Sequence, residues 1–299
     1  MFKKFIAAFV FVSIELLGAD PGVGQQVRPS NNMFPQWSRD GNKIVFTSDR
    51  DGDPEIYLMN ADGTDPVRLT NEKGRDAHPV FSRDGTKILF QSPRANGIDT
   101  NIYVMDADGS NVVQLTNLTG FAGVPVYSPD EKRIALMWRK SNDFDDGTKW
   151  LIAVMDADGG NFGVITNGKA NDQVPNWSRD GKRLIFFSDR TGEDQLYTMR
   201  ADGTGVRRLH RSRFNDMAGF WSPDNKQIAF VSDRGGNPEL YVMNVDGSGL
   251  RRLTFSKAIE RSGVWSPDGK RIAFAADGDG PSAIFVVDAD GSNLKRITH

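Results

Sequence analysis

One pattern returns six times along this chain, and it decides most of what the chain can fold into. An aromatic-Ser-x-Asp tetrad opens each copy: Trp37–Asp40, Phe81–Asp84, Tyr127–Asp130, Trp177–Asp180, Trp221–Asp224 and Trp265–Asp268. The copies start 44, 46, 50, 44 and 44 residues apart. A second marker, (Ala/Val)-Asp-Gly, follows 24 to 30 residues later in every copy, from Ala61–Gly63 to Ala289–Gly291. Self-similarity at a period of about 40–50 residues is the mark of a propeller or a repeat array.

Every copy has the same grammar. A short strand ends in the aromatic residue, and a Ser-x-Asp-Gly turn reverses the chain. A continuous apolar run follows, such as Lys43–Ser48 or Arg183–Ser188. A second follows after a polar hairpin, such as Glu55–Met59 or Glu239–Met243. The Asp-Gly turn then leads to a last strand, Val67–Thr70 in the first copy. Runs without polar alternation are buried on both faces. Four such strands per copy, stacked open, would leave apolar ends; closed into a ring they leave none. The expected fold is all-β: a six-bladed propeller of four-stranded antiparallel blades over residues 34–299. A linear solenoid is the rival. Blade one can pack on blade six directly, or a strand at Val23–Val27 can serve as a clasp.

Residues 1–19 read differently. Lys3 and Lys4 precede the apolar run Phe5–Leu17, and small residues end at Ala19. This is the layout of a secretory signal peptide, too short for a membrane span. Residues 20–33 form a linker or clasp. The 299 residues hold no cysteine, which excludes disulfides, thiolate metal sites and a Cys nucleophile. The net charge of −2 offers no basic face for nucleic acid.

The repeated P-x-W-S-P-D-G-K-x-I-A-F…I-Y-x-M-x-A-D-G…R-L-T, fitted best by Trp177–Thr204, Trp221–Thr254 and Trp37–Thr70, resembles the propeller repeat of the TolB family (also described as WD40-like or PD40 repeats). TolB is a periplasmic protein of the bacterial Tol–Pal envelope system, whose propeller holds a peptidoglycan-associated lipoprotein. The resemblance covers Pro35 to Thr298. It implies a periplasmic or secreted chain with an envelope protein or peptide as partner. TolB carries a further domain ahead of its propeller, and only about a dozen residues separate the signal from blade one here. A TolB-like propeller without that domain is therefore expected. Similar repeats occur in prolyl oligopeptidases, dipeptidyl peptidases and oligogalacturonate lyases, so the alternative is a polysaccharide-lyase-like enzyme or glycan-binding propeller.

Catalysis is not the expectation. No G-x-S-x-G elbow is present, and only His78, His210 and His299 are available. Met105–Asn111 (MDADGSN) lacks the spread oxygen ligands and closing Glu of a calcium loop, and reads as a turn. The Ser-Asp-Arg triplets at residues 48–50, 188–190 and 232–234 read as structural, each Arg pairing with an Asp such as Asp40, Asp180 or Asp224. The recurrent Met59, Met105, Met155, Met199 and Met243 read as core.

The links between copies and the middle hairpins fall on one face and vary strongly, whereas the opposite face carries near-uniform turns. Variation on a rigid scaffold marks binding. The third hairpin, Arg139–Trp150, is six residues longer than the first and brings Phe144 and Trp150. These either anchor a partner or fold back onto blade three. Asp76, Asp172, Asp216 and Glu260, with His78 beside Asp76, are expected at the channel mouth, where blades one and three have Asn32 and Ala122. Such a carboxylate ring would attract a basic peptide or a calcium ion; no other cofactor is expected.

Overall fold

A computed structural model describes residues 30–278 and 280–298. The proposed signal peptide, the Val23–Val27 clasp and His299 lie outside the described residues. Among the described residues, twenty-four strands form six antiparallel sheets of four, each in sequence order from inner to outer. In blade one these are Asn32–Trp37, Lys43–Ser48, Glu55–Asn60 and Val67–Arg68. The inner strands of the other blades are Ala77–Phe81, Phe121–Tyr127, Asp172–Trp177, Asp216–Trp221 and Ile259–Trp265. Successive inner strands touch around the axis, and that of blade six touches that of blade one.

The apolar runs read from sequence are the two middle strands. Their cores are fully buried: Ile44, Val45 and Phe46 in blade one and Ile228, Ala229 and Phe230 in blade five have no exposed surface. The five recurrent methionines are buried between sheets. Two boundaries differ from the sequence reading. Blade one begins at Asn32, so Asn32 and Met33 belong to its inner strand. The outer strands pair over only two residues, because the closing Thr leaves the ladder. Its hydroxyl takes the N–H that a backbone carbonyl would have taken: Ile56 N donates to Thr70 Oγ1 at 2.9 Å and Ile284 N to Thr298 Oγ1 at 2.8 Å. The Met105–Asn111 segment is a turn, with Ser110 N donating to Asp108 Oδ1 at 2.9 Å.

The ring closes by packing of blade one on blade six, and the seam repeats the junctions found elsewhere. Asn32 N donates to Ser282 O at 2.7 Å, as Asp172 N does to Trp150 O at 2.9 Å. Trp37 Nε1 donates to Val264 O and Trp265 Nε1 to Phe220 O, both at 3.2 Å. The Arg271 guanidinium lies 4.8 Å over the Trp37 ring, as Arg133 does over Trp177. The glycine of each Asp-Gly turn lies against the preceding blade's outer strand. A Cβ on Gly63 would collide with the Ile297 carbonyl across the seam, as one on Gly159 would with that of Leu115. Gly63 also has a φ of +94°.

Gly63→Ala therefore meets both positive-φ strain and a backbone clash, together about 2–4 kcal/mol. It should melt several degrees below the wild type, whereas Gly163→Ala, in open space, should melt with it. Equal melting temperatures for both variants would refute a seam packed in this way.

Candidate functional site

The inner strands shape the channel through one recurrent distortion. Each bulges after one of its first three residues. The residue there takes a left-handed conformation: Phe34, His78, Val124, Val174, Ala218 and Ser262 have φ between +32° and +54°. Such φ is uncommon for non-glycine residues and an outlier for valine. The turn of the backbone throws these six side chains into the channel. Phe34 and His78 stack at 3.6 Å between ring centroids and nearly fill it, leaving about 70 Å³. Burial, then the nearby Arg75, depresses the His78 pKa to about 3, so its imidazole is neutral.

The carboxylates expected at the channel mouth stand elsewhere. Asp76, Asp172, Asp216 and Glu260 are at most 2% exposed, and none lines the channel. Three point sideways to an arginine of their own blade. Arg190 Nη2 donates to Asp172 Oδ1 at 2.7 Å, Arg234 Nη2 to Asp216 Oδ1 at 2.6 Å, and Arg94 to Asp76. In blade one Arg50 Nη2 donates to Asn32 Oδ1 at 2.9 Å. Each arginine lies over two rings of its blade, as Arg190 does over Phe186 and Tyr197. This corrects the expected pairing of the Ser-Asp-Arg triplets. Asp40, Asp180 and Asp224 accept instead from Ser38, Ser178 and Ser222 within their own turns. The middle Asp of the triplet also has a partner. Asp49, Asp189 and Asp233 accept from both the backbone and side-chain nitrogens of Asn31, Asn171 and Asn215. The triplet is a clasp that fixes the start of the inner strand.

Blades three and six lack the clasp. Blade three has Ala122 for the acid and Lys140 at the arginine position. Its Arg139, one residue earlier, is 1% exposed and organises the long hairpin. It donates to Thr148 O, Ser141 O, Asp143 O and Asp146 Oδ1. Trp150 folds back and is buried against Phe121. Phe144 packs on Trp150 and Arg139 yet stays 52% exposed. In blade six Glu260 accepts from Thr254 Oγ1 and Ser256 Oγ, with no arginine, and burial pushes its pKa up to about 7. Asp194, in the blade-four hairpin, is raised to about 7 by burial and by Asp189, Glu193 and Asp233. His210 Nε2 lies 3.1 Å from Asp216 Oδ2. Among the described residues no three His, Cys, Asp or Glu stand together as a metal site.

Two surfaces remain. On the link face, Phe255 is 76% and Ile98 69% exposed, with Phe144 beside them in exposure. Ile98 and Phe144 sit on adjacent hairpins joined by Asn142 Nδ2 donating to Asp99 Oδ1 at 3.0 Å. On the turn face the channel widens into a funnel of about 550 Å³. The six tetrad aromatics line it, together with Arg39, Arg83 and Arg179. The turn face is therefore less uniform than its motif suggests: the x of Ser-x-Asp is Arg in blades one, two and four and Pro in the others.

The family model described as the tricorn protease N-terminal beta propeller domain matches residues 26–213, and that of the TolB beta propeller domain matches residues 211–299. No curated protein matches the sequence. Among solved structures, a TolB-type protein of Agrobacterium tumefaciens is similar at a TM-score of 0.70 and 22% identity, over 87% of this chain and 91% of that one. TolB of Acinetobacter baumannii has the same TM-score at 21% identity, over 92% of this chain and 64% of its own. An oligogalacturonate lyase in complex with manganese gives 0.65 at 17% identity, over 90% and 78%. At such identities the likeness is one of fold.

Glu260 and Asp194 hold their protons in the folded chain to about pH 7, but release them near pH 4 when unfolded. The folded state thus binds more protons between those limits, and stability falls as pH rises from about 4 to 7. Each group accounts for of order 3 kcal/mol. The Asp194→Asn/Glu260→Gln variant should lose this slope and melt above the wild type at pH 8. An unchanged pH profile of melting would contradict the assignment.

Proposed function

The chain belongs to the family of tricorn- and TolB-type β-propellers, and from that premise we propose that it is a binding module, taking a protein or peptide of the cell envelope on its link face. The observation that carries this reading is the placement of the two most exposed large apolar side chains among the described residues. These are Phe255 and Ile98, and both sit on link-face loops, as does Phe144. An apolar side chain held on a rigid support makes an effective anchor, because little entropy is lost when it docks. Phe144 has such support: the buried Arg139 beneath it is held by four oxygens.

The setting we propose is periplasmic or secreted, in keeping with the TolB resemblance and the signal-like sequence of residues 1–19. Among the described residues no helix is long and apolar enough to cross a membrane. Binding is proposed to need no cofactor. Three of the four acids considered for calcium already have an arginine partner.

Purified chain should capture one envelope protein after crosslinking in a detergent extract, and chelator should not alter the yield. The Ile98→Ala/Phe144→Ala/Phe255→Ala variant should retain wild-type near-UV circular dichroism and lose capture by about tenfold or more. Equal capture by the folded variant would place the interface elsewhere. No capture, with saturable binding to a polysaccharide, would replace this reading with a glycan-directed one.

A further inference from the structure

The turn-face funnel is chemically unlike the rest of the molecule. Its floor is formed by the aromatic tetrad residues, with the amides of Gln36 and Asn176 between them. Its rim carries Arg39, Arg83 and Arg179, all exposed. No acidic residue lines it. Each blade nevertheless has an Asp in the same turn. Those of the three arginine blades are occupied: Asp40, Asp84 and Asp180 each accept from their turn Ser at 2.6 Å and from a backbone N–H two residues on. Glu131, at the outer side of the rim, accepts from the Arg83 backbone nitrogen. Accordingly, no ion pair within 4.0 Å involves Arg39, Arg83 or Arg179 among the described residues.

Several arginines of the blades have an acid beside them, among them Arg94, Arg139, Arg190, Arg234 and Arg261. The three rim arginines are gathered at one opening without one within 4.0 Å. Although part of its surface is exposed, the funnel walls desolvate the Arg179 guanidinium and lower its pKa, and the charges of Arg39 and Arg83 lower it further, so the three charges feel one another across the opening. Arg83 is also held in place: its Nη1 donates to Pro129 O of the next blade at 3.0 Å. The turn carboxylates stay charged but stand outside the lining, so the partly enclosed mouth itself presents like positive charges, and these attract an anion the more strongly because water screens less there. Guanidinium groups suit phosphate and carboxylate oxygens, which they meet with paired N–H donors. The funnel has the volume of a small-molecule site.

We propose that the turn-face funnel is a binding site for a compact multivalent anion, bearing phosphate or clustered carboxylates, held by Arg39, Arg83 and Arg179 above the aromatic floor. The site is independent of the link face and stands whether or not a protein partner binds there. Its position on the axis makes it a single site per chain, with a floor drawn from all six blades and arginines from three.

Trp37, Trp177, Trp221 and Trp265 lie in the funnel and supply the readout. Sodium pyrophosphate and sodium citrate are titrated separately into the full chain at low ionic strength, with tryptophan emission recorded. At least one should saturate with one-to-one stoichiometry and weaken on addition of salt. Saturation by pyrophosphate alone assigns a phosphoryl ligand, by citrate alone a polycarboxylate. Arg179→Gln should weaken binding by about tenfold or more, and Arg39→Gln/Arg83→Gln/Arg179→Gln should abolish it with the melting temperature retained. Arg200→Gln, at an exposed strand end away from the funnel, should bind as the wild type does. The proposal fails if neither anion saturates, if Arg179→Gln binds unchanged, or if Arg200→Gln weakens binding equally, which would indicate general charge attraction only.

Discussion

No blade of this protein has a side that can face water, and the rest of the architecture follows from that. Phe46, Phe90, Phe186, Phe230 and Phe274 occupy the same position in five blades and are at most 1% exposed. Each such side chain contributes about 2 kcal/mol by leaving water, and it does so only when the neighbouring blade is present. A blade is thus a unit of sequence without being a unit of stability. The ring is the smallest arrangement that covers every face. Its seam uses the same backbone bond, cation–π contact and glycine contact as other junctions, and shares its indole bond with the junction of blades five and six. The junction chemistry explains why the (Ala/Val)-Asp-Gly and Leu-Thr markers accompany each other in sequence. The glycine of one blade lies on the Leu-Thr segment of the blade before.

A second layer of order comes from the buried clasps. An arginine between two aromatic rings, hydrogen-bonded to a Ser and to the first acid of the inner strand, fixes where that strand begins. A buried carboxylate without such a partner behaves differently, and blade six shows how. Glu260 has neutral donors and no ion-pair partner among the described residues, and burial raises its pKa to about 7. Blade three has given up both acid and arginine, and Arg139 has become the hub of a longer loop. The departures from the clasp therefore mark the two blades where charge is managed by other means.

The repeat made the fold readable: blade number, strand order and the middle strands follow from periodicity and apolar runs. The site was less legible, for reasons seen in particular residues. Asp76, Asp172 and Asp216 are at the expected ends of the inner strands, but sequence does not say whether a side chain turns toward the axis or into its blade. Their arginine partners lie 18 residues away in each case, across a hairpin. Arg94 was obscured because Pro93 replaces the Asp of the triplet. Trp150 and Phe144 share a loop, yet one is buried and the other half exposed, a difference set by Arg139. The rim arginines were hidden in plain view, as the variable letter of an otherwise constant turn.

The left-handed residue of each inner strand sets the bore. Because the backbone turns there in every blade, one side chain per blade is an iris leaf, and the aperture is the sum of six independent choices. The leaves here are unequal: large rings in blades one and two, Phe34 and His78, and small side chains in blades five and six, Ala218 and Ser262. The ring is consequently filled most heavily beside blades one and two. A sixfold scaffold thereby acquires a direction across its axis, and substitutions at these six positions would widen, shut or steer the aperture.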